Sequence, residues 1–404
     1  MVETRGIRTE WELLEATRLS LEVFGGDGVE ASVQRKVRRI LAHPSYHPEH
    51  VRVRVADGRI VAHLVVIERV MRVGAAEWRM GGIGGVCTAP DYRHQGHATA
   101  LLKDALEFMR EAGMDVTLLQ GISNFYNRLG YAVVWPETYL SIPLADARDL
   151  PADRAYTIRP VAKRDIPALA RLYDEAWRLR PGALVRKKEH WRWFLETSSP
   201  MWLAVGRKRR VQGYIVASGH APNEVIELVA ANAGSAYALV RHVAEVTPQD
   251  VEEMRILAAR DDPLVSWLRR ACRVKVVERT VPTGGWMARF VNLISAMRKL
   301  QDELSARFLR SQMQDWRGRV NLVTDLGTVG LFCRYGRVVV KEVEPTAGMT
   351  CRIPQDRLMQ LILGFRTIYD VAEDPDVSVP EVARPLLHTL FPPTASYIAG
   401  LDRF

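Results

Sequence analysis

The chain contains 404 residues, of which 48% are hydrophobic and 25% are charged, and its formal net charge is +9. At ~150 residues per domain this length predicts two or three domains, and the composition excludes a disordered or low-complexity chain. No apolar run reaches the ~18 residues that a transmembrane helix needs, and the first residues lack the apolar segment of a secretory signal. The four cysteines form no Cys-x-x-Cys pair, so we expect a cytoplasmic protein without a disulfide framework or a zinc knuckle.

The positive charge is concentrated in the middle third of the chain. Residues 151–290 carry 24 basic and 15 acidic side chains, whereas residues 1–150 carry 18 and 19. Two basic runs, at 186–188 and 207–210, contribute most of this excess. Nucleic-acid-binding proteins have such patches, but the second run lies between two apolar strands, which favours a solvated hairpin tip.

The predicted elements of the first third follow a definite order. Apolar residues at three- and four-residue spacing predict a helix over 31–41, and alternating residues on both sides of Asp57-Gly58 predict a β-hairpin over 51–66. A strand, a helix, a strand, a short helix and a last strand then follow, at 84–88, 98–112, 116–119, 124–129 and 132–134.

The middle third repeats this order. A helix over 166–173 follows Asp165, a candidate N-cap, and precedes hairpin strands at 201–205 and 211–216. The same five elements then recur at 225–230, 236–246, 254–259, 263–271 and 275–281. We therefore predict two tandem mixed α/β domains, at 1–150 and 151–290.

The last third, 291–404, predicts a separate α+β domain. An amphipathic helix is expected over 293–308, followed by a strand at 320–324 and a strand pair at 330–343 that folds about Tyr335-Gly336. A further helix is expected over 356–363.

The two repeats differ in the loop before their second helix, which covers 89–98 in the first repeat and only 231–235 in the second. A glycine-bearing loop at a helix N-terminus offers unpaired N–H groups and binds anions such as a pyrophosphate. Gly96 and Ala98 are small enough for close approach, and Arg93 adds a positive charge. No G-x-G-x-x-G opens a first βαβ unit and no G-x-x-x-x-G-K-[ST] is present, which argues against a nicotinamide site and a nucleotide hydrolase.

Two motifs of the first repeat resemble those of GNAT N-acetyltransferases. Arg93-x-x-Gly96-x-Ala98 is similar to motif A of that family, and residues 124–131, with the sequence Asn-Phe-Tyr-Asn-Arg-Leu-Gly-Tyr, are similar to motif B. The resemblance implies a twisted mixed sheet that binds acetyl-CoA where two parallel strands separate. The glycines at 81–85 suit such a separation because glycine permits a bulge and close approach, although a merely flexible strand would also contain them.

The layout of the whole chain resembles the Eis (enhanced intracellular survival) family of acetyltransferases. That resemblance implies a catalytic GNAT domain at 1–150, a degenerate GNAT-like domain at 151–290 and a sterol-carrier-like domain at 291–404. It also implies a homo-oligomer, usually a hexamer, and a terminal phenylalanine whose free carboxylate reaches the active site. This chain ends in Phe404.

The resemblance also implies the residues that bind acetyl-CoA. The strand around Cys87 would pair with the pantetheine arm, a loop from Arg93 would surround the pyrophosphate, and two residues after the next strand would line the other side. The complete set is Val86, Cys87, Thr88, Arg93, His94, Gln95, Gly96, His97, Ala98, Thr99, Gly121 and Ile122.

Tyr126 matches the general acid of the family, since a phenol with a reference pKa near ~10 is protonated at neutral pH and can donate to a thiolate. The alternative is a packed aromatic residue on a short helix. The equivalent position in the second repeat is Trp267, which cannot act as an oxygen acid. The Phe404 carboxylate is the expected base, and a frayed chain end is the alternative, although the apolar residues at 397–401 favour a packed tail.

The acceptor is expected to be a cationic amine or polyamine, which requires carboxylates and apolar walls. Phe24, Asp27 and Glu30 follow the first helix, where GNAT enzymes shape the acceptor pocket, and Asp402 lies beside the terminal base. Acidic loop residues are also often simply solvated.

Two further patterns carry no assignment. His43, His47 and His50 are interrupted by prolines, which prevents a helix from presenting the three rings together, and we expect no metal. Cys87 on an apolar strand is expected to be a buried hydrophobic residue, not an acyl-enzyme nucleophile.

These observations predict an acetyl-CoA-dependent N-acetyltransferase that acts on primary amines of an aminoglycoside-like molecule. Acetylation of protein lysines is a second enzymatic hypothesis. The non-enzymatic alternative is a lipid- or nucleic-acid-binding protein on a degenerate GNAT scaffold. We expect no membrane partner.

Overall fold

The computed structural model describes residues 2–25, 30–151, 155–197, 199–344 and 348–404. Their strands form two seven-stranded sheets and one four-stranded sheet. None of the helices in these ranges is both long and apolar enough to cross a bilayer.

The first sheet is built mainly from the first third of the chain. Alternating residues form its hairpin strands as predicted, with Val51 and Val53 of β2 buried and Arg52 and Arg54 half-buried. Its strands from this region are β1 (Val2–Gly6), β2 (Val51–Ala56), β3 (Arg59–Val73), β4 (Ala76–Thr88), β5 (Val116–Gly121) and β6 (Ala132–Val133). Its helices are α1 (Glu10–Val23), α2 (Glu30–Leu41) and α3 (His97–Glu111).

The second sheet has the same architecture. Its strands are β7 (Glu137–Pro143), β8 (Thr157–Pro160), β9 (Met201–Val205), β10 (Val211–Ala217), β11 (Glu224–Ala230), β12 (Glu253–Leu257) and β13 (Lys275–Arg279). Its helices are α4 (Leu144–Arg148), α5 (Ile166–Trp177), α6 (Lys188–Thr197), α7 (Ala233–Val246) and α8 (Pro263–Arg269). Residues 207–210 are exposed between β9 and β10, so the second basic run is the solvated hairpin tip that the sequence favoured.

The two large sheets exchange one strand. The first has the order β1-β2-β3-β4-β5-β14-β6, where β14 is Gly285–Phe290, and the second has the order β8-β9-β10-β11-β12-β7-β13. The sixth position of each sheet is therefore filled by the strand that follows the other sheet's seventh strand along the chain, because β14 follows β13 and β7 follows β6. The predicted boundaries at 150 and 290 do not separate the sheets, because neither segment contains all the strands of one sheet.

The last third forms the four-stranded sheet and packs against the first sheet. The strands β15 (Gly318–Thr324), β16 (Gly327–Arg334), β17 (Arg337–Glu342) and β18 (Met349–Arg352) have the order β17-β16-β15-β18. The helices are α9 (Leu293–Lys299), α10 (Gln301–Leu309), α11 (Gln355–Ile362), α12 (Ile368–Val371) and α13 (Arg384–Leu390), so the helix predicted over 293–308 is two helices. Trp78 and Phe290 of the first sheet share one core with Phe308 and Phe391.

Candidate active site

The strands β4 and β5 separate at the centre of the first sheet. They pair in parallel from Met80 opposite Val116 to Ile83 opposite Leu119, and the described pairing ends there although both strands continue. A bulge lies at this point of β4, where its register with β3 shifts and Gly85 has a φ of +64°. A non-glycine residue rarely adopts that conformation, which explains one glycine of the run at 81–85.

The loop after β4 leads into the N-terminus of α3 with its backbone exposed. His94 has a φ of +62°, Gly96 has a φ of +80°, and Gly96 is the N-cap of α3 without a side-chain cap. Residues 93–96 are exposed. The first peptide N–H groups of the helix are therefore open to an anion.

The equivalent helix of the second sheet has no such opening. The Asn232 side chain accepts a hydrogen bond from the Ser235 backbone N–H at 3.0 Å, and the Ser235 hydroxyl donates to the Asn232 carbonyl at 2.9 Å. The N-terminus of α7 is thus capped by its own residues.

His97 differs from the other residues of the predicted pyrophosphate loop. Its side chain is buried, and its Nδ1 accepts a hydrogen bond from Nε of Arg54 at 2.9 Å. Burial and the neighbouring Arg54 both lower the pKa of His97. Only its backbone is placed to meet an anion, while Ala98 and Thr99 follow, half-buried, in the first turn.

The predicted pantetheine-binding strand residues lie on β4 after the bulge. Val86 and Thr88 are half-buried, and Cys87 is buried. Burial raises the pKa of the Cys87 thiol to about 12, so it is protonated at neutral pH. A thiol is a poor nucleophile, which agrees with its interpretation as a small buried residue.

Tyr126 begins a 3₁₀ turn, Tyr126–Leu129, close to the end of β5. Its side chain is 7% exposed and packs edge-on against Phe125 and Tyr131, with ring centroids 4.9 and 6.0 Å away. A Cβ on Gly121 would lie 2.7 Å from Cδ2 of Tyr126. Burial raises the pKa of Tyr126 to about 12, so the hydroxyl keeps its proton.

The loop after Gly121 is attached to a segment that the sequence did not assign to the site. Ile122 is exposed, the Ser123 hydroxyl donates to the Thr283 carbonyl at 3.2 Å, and the Asn124 N–H donates to the Thr283 hydroxyl at 3.1 Å. Thr283 lies just before β14. Only the strand exchange brings it here, and no local pattern in the sequence indicates that exchange.

The end of the chain lies against the point where β4 and β5 separate. A Cβ on Gly82 would be 2.5 Å from Cζ of Phe404, and a Cβ on Gly84 would be 3.7 Å from the terminal carboxyl carbon of Phe404. The Phe404 ring also packs edge-on against Trp286 of β14, with centroids 6.1 Å apart. The ring therefore occupies the space that the missing side chain of Gly82 leaves.

The predicted acceptor residues have three different environments. Phe24 is 62% exposed at the end of α1. Glu30 is exposed at the start of α2 and accepts hydrogen bonds from Gln34 and Arg18, both at 2.8 Å. Asp27 lies outside the described residues.

The placement of Asp402 corrects its assignment as an acceptor residue. Its side chain has no exposed surface and forms ion pairs with Arg69 at 2.8 Å and Arg186 at 2.9 Å. Both carboxylate oxygens are thereby occupied. Arg186 is also buried, so the basic run at 186–188 is not a continuous surface patch.

The three histidines at 43–50 do not form a ligand set. The His43 ring packs against Trp193 with centroids 4.7 Å apart, and the rings of His47 and His50 lie 5.4 Å apart. In the described ranges, no group of three His, Cys, Asp or Glu side chains could hold a metal ion.

This fold, with its separated strands and open helix N-terminus, is similar to the fold of GNAT acetyltransferases. The profile of the acetyltransferase (GNAT) domain matches residues 6–134, which therefore form such a domain. The chain is an N-acetyltransferase whose co-substrate is acetyl-CoA and whose acceptor is an amine.

Solved structures resemble the whole chain at low sequence identity. A GCN5-related N-acetyltransferase from Kribbella flavida has a TM-score of 0.78 and 22% identity, with 100% of both chains covered. A probable N-acyltransferase from Enterococcus faecalis has a TM-score of 0.79 and 16% identity, and Eis1 from Mycobacterium abscessus has a TM-score of 0.69 and 16% identity, again with 100% of both chains covered. No curated protein sequence matches the chain.

Proposed function

We propose that this chain transfers the acetyl group of acetyl-CoA directly to a primary amine of a cationic, aminoglycoside-like small molecule. In this proposal Tyr126 is the general acid and the terminal carboxylate of Phe404 is the general base. The observation that carries it is the position of the chain end, against Gly82 and Gly84 where β4 and β5 separate. A chain end is usually frayed, whereas Phe404 packs against Gly82 and Gly84 of β4.

The residues of the loop fit acetyl-CoA. The uncapped N-terminus of α3 and the left-handed conformations of His94 and Gly96 leave peptide N–H groups open, and the exposed Arg93 adds a charge for a phosphate. The backbone of residues 86–88 would pair with the pantetheine arm, and Gly121 and Ile122 would line the opposite side. Acetyl-CoA supplies the thioester carbon that the amine attacks.

The proton transfers balance with these two groups. As the N–C bond forms and the C–S bond breaks, the terminal carboxylate accepts a proton from the attacking amine and the Tyr126 hydroxyl donates a proton to the leaving sulfur. The raised pKa of Tyr126 keeps this proton in place until the thiolate forms. Its packing against Phe125 and Tyr131 holds the hydroxyl in one position.

The acceptor assignment is supported by Phe24 at the end of α1 and Glu30 at the start of α2. Exposed Phe24 offers an apolar face, and the hydrogen bonds from Gln34 and Arg18 lower the pKa of Glu30, so this carboxylate is ionised. An exposed aromatic ring and an ionised carboxylate are the two kinds of group that bind an organic cation.

We also propose two tandem GNAT folds, with one strand of each exchanged, followed by a sterol-carrier-like domain. Tandem GNAT folds are supported by the matching strand orders of the two large sheets. The mixed four-stranded sheet with its helices supports a sterol-carrier-like domain in the last third. The hexamer rests on the resemblance alone, and light scattering of the purified protein tests it.

The experiment compares two variants across a panel of amines in a coupled thiol-release assay. Tyr126→Phe should lower kcat by about 10²–10⁴-fold, the usual contribution of an acid or base, and one alanine added after Phe404 should cause a similar loss. Both should keep a thermal shift with acetyl-CoA, because neither change touches the loop. Tyr335→Phe, at an exposed tyrosine, is the matched control. Full activity of either variant would remove that group from the mechanism.

A further inference from the structure

Four buried charged side chains cluster at the 3₁₀ turn Gly400–Asp402 near the end of the chain. Asp402 lies between Arg69 of β3 and Arg186. Nη1 and Nη2 of Arg186 also donate to the carboxylate of Glu227 of β11, both at 2.7 Å. The side chains of Arg186, Glu227 and Asp402 have no exposed surface, and that of Arg69 is 3% exposed. We call Arg69, Arg186, Glu227 and Asp402 the tail clasp.

Neutral groups complete the hydrogen bonds of the tail clasp. The Tyr173 hydroxyl lies 3.2 Å from Oδ2 of Asp402, and the Tyr214 hydroxyl donates to Oε1 of Glu227 at 2.7 Å. The backbone N–H of Leu401 donates to Oε2 of Glu227 at 3.1 Å. The clasp therefore binds the tail twice, through the side chain of Asp402 and through the backbone beside it.

Burying four charges is not an efficient way to stabilise a fold. Ion pairs replaced by apolar residues of similar volume often leave stability unchanged or improved, because desolvation offsets the Coulombic attraction. What a buried ion pair does provide is one defined geometry, since any displacement leaves a charge without a partner. The position of residue 402 is therefore strongly fixed.

The chain end cannot move far from residue 402. Two residues span at most ~7 Å, so the terminal carboxylate is confined to a small volume around the clasp. Along the first sheet, the clasp also lies close to Gly82, against which the Phe404 ring packs. Arg69 lies two residues after Ile67 on β3, and Ile67 pairs with Gly82.

The rest of the tail leads into the clasp. The Tyr397 N–H donates to the Pro181 carbonyl at 2.9 Å, and a Cβ on Gly400 would overlap the Ile226 carbonyl. The tail thus passes over the second sheet in close contact before it reaches the first sheet at Phe404.

We propose that the tail clasp is a positioning device for the terminal carboxylate. Arg69 from the first sheet and Arg186 and Glu227 from the second hold Asp402, and this fixes the Phe404 carboxylate where β4 and β5 separate. The four side chains are positioning residues, because they act on the reaction through Phe404. This inference rests on the proposed role of Phe404 as the base.

The test measures the tail and the reaction separately in the full-length Asp402→Asn variant. Asn keeps the shape of Asp402 but removes the charge that the two arginines bind. Release of the terminal phenylalanine by a carboxypeptidase, followed by mass spectrometry, should become at least ~10-fold faster, because cleavage requires local opening of the tail. In the same protein kcat should fall at least ~10-fold, while the KM for acetyl-CoA should stay within about twofold.

Glu196→Gln is the matched control, since it removes the carboxylate of an exposed ion pair with Lys163. Thermal unfolding shows whether each variant is folded. If Asp402→Asn does not fold, Arg69→Lys serves instead, because lysine keeps the charge and loses the geometry of the guanidinium. It should show the same changes to a smaller degree.

Each outcome decides the inference. Faster release with a lower kcat and an unchanged KM supports it. Release and kcat equal to those of Glu196→Gln would overturn it, and so would a parallel loss of kcat, acetyl-CoA affinity and thermal stability, which indicates a structural role. Faster release with unchanged kcat would refute the link to catalysis, and an active protein with one residue added after Phe404 would then show that the proposed base itself is wrong.

Discussion

Three glycines of the run at 81–85 are required for three different structural reasons. A Cβ on Gly81 would overlap Met109 of α3, the missing Cβ of Gly82 makes room for the Phe404 ring, and Gly85 has the left-handed conformation of the bulge. The sequence predicted a bulge and a close approach at these glycines. It did not indicate that the approaching group at Gly82 is the chain's own last residue.

Gly82→Ala should displace the tail without disturbing the strand. The backbone of Gly82 does not require glycine, but the added Cβ would lie 2.5 Å from the Phe404 ring. We expect kcat to fall at least ~10-fold with a loss of stability near the ~1–3 kcal/mol typical of overpacking. Steady-state kinetics and urea unfolding measure both effects.

Gly219→Ala is the matched control for that substitution, because its nearest neighbour would be Ser199 Oγ at 3.7 Å, an ordinary contact. It should be active. If Gly82→Ala were as active as Gly219→Ala, the position of the Phe404 ring against Gly82 would not matter for kcat.

The sequence predicts the surroundings of a residue best where its contacts are local. The loop around Gly96 is exposed and uncapped as its local sequence predicted. Asp402 was assigned wrongly because its partners Arg69 and Arg186 lie 333 and 216 residues away in sequence. Spacing carries no information about such partners, and a carboxylate near a chain end is ordinarily expected to be solvated.

Among the elements, the strand exchange is the largest departure from the sequence-based prediction. The types of most elements follow from their own periodicity and are as predicted. The partner of a strand depends on the tertiary structure instead. The strands β7 and β14 lie within the predicted domains at 1–150 and 151–290 respectively, whereas each belongs to the sheet of the other domain.

The exchange predicts that residues 1–150 do not fold alone. β14 pairs with β5 over six residue pairs, from Gly285 opposite Gly121 to Phe290 opposite Val116, and also pairs with β6. A fragment of residues 1–150 lacks these bonds and leaves β5 as an open edge, which favours aggregation. Circular dichroism should show no cooperative thermal transition.

A matched fragment restores only the missing strand. Val133 pairs with Met287 in antiparallel register, and the Val134 N–H donates to the Trp286 carbonyl at 3.0 Å, so an Asn-Gly turn can join residue 135 to residue 285. This fragment should be more soluble and more stable than residues 1–150. Equal behaviour of the two fragments would contradict the importance of β14 for the first sheet.

In the whole molecule, the chain end connects all three parts of the structure. The last third packs on the first sheet through a common core, and its final residues pass the second sheet before they return to the first. The apolar sequence at 397–401 predicted a packed tail, and Tyr397, Ile398, Ala399 and Leu401 are buried. The sequence could not predict the route, because that depends on how the three sheets pack together.

Two buried histidines, His63 and His190, and the half-buried His43 make the stability of the folded chain depend on pH. Burial, the largest cause in each case, lowers the pKa of His43 to about 4, of His63 to about 4 and of His190 to about 3. Arg69 of the tail clasp lowers the pKa values of His43 and His190 further, and Lys36 lowers that of His63. All three rings are neutral in the folded protein at pH 7.

Unfolding lets these rings titrate near pH ~6.5, the reference pKa of histidine. Below that pH the unfolded chain binds protons that the folded chain does not, so stability is full above pH ~6.5 and is lost as the pH falls towards the folded pKa values. For His63 alone, a folded pKa of about 4 corresponds to a loss of about 2 kcal/mol between pH 7 and pH 5. His63→Gln should therefore lose less stability over this range than the unmodified protein, by about that amount, in urea unfolding at the two pH values.

The exposed His220 provides the control His220→Gln, which should leave the pH dependence unchanged. If His63→Gln showed the same loss as His220→Gln, the His63 ring would titrate in the folded protein as it does in the unfolded chain, and the acid sensitivity would have to come from other groups.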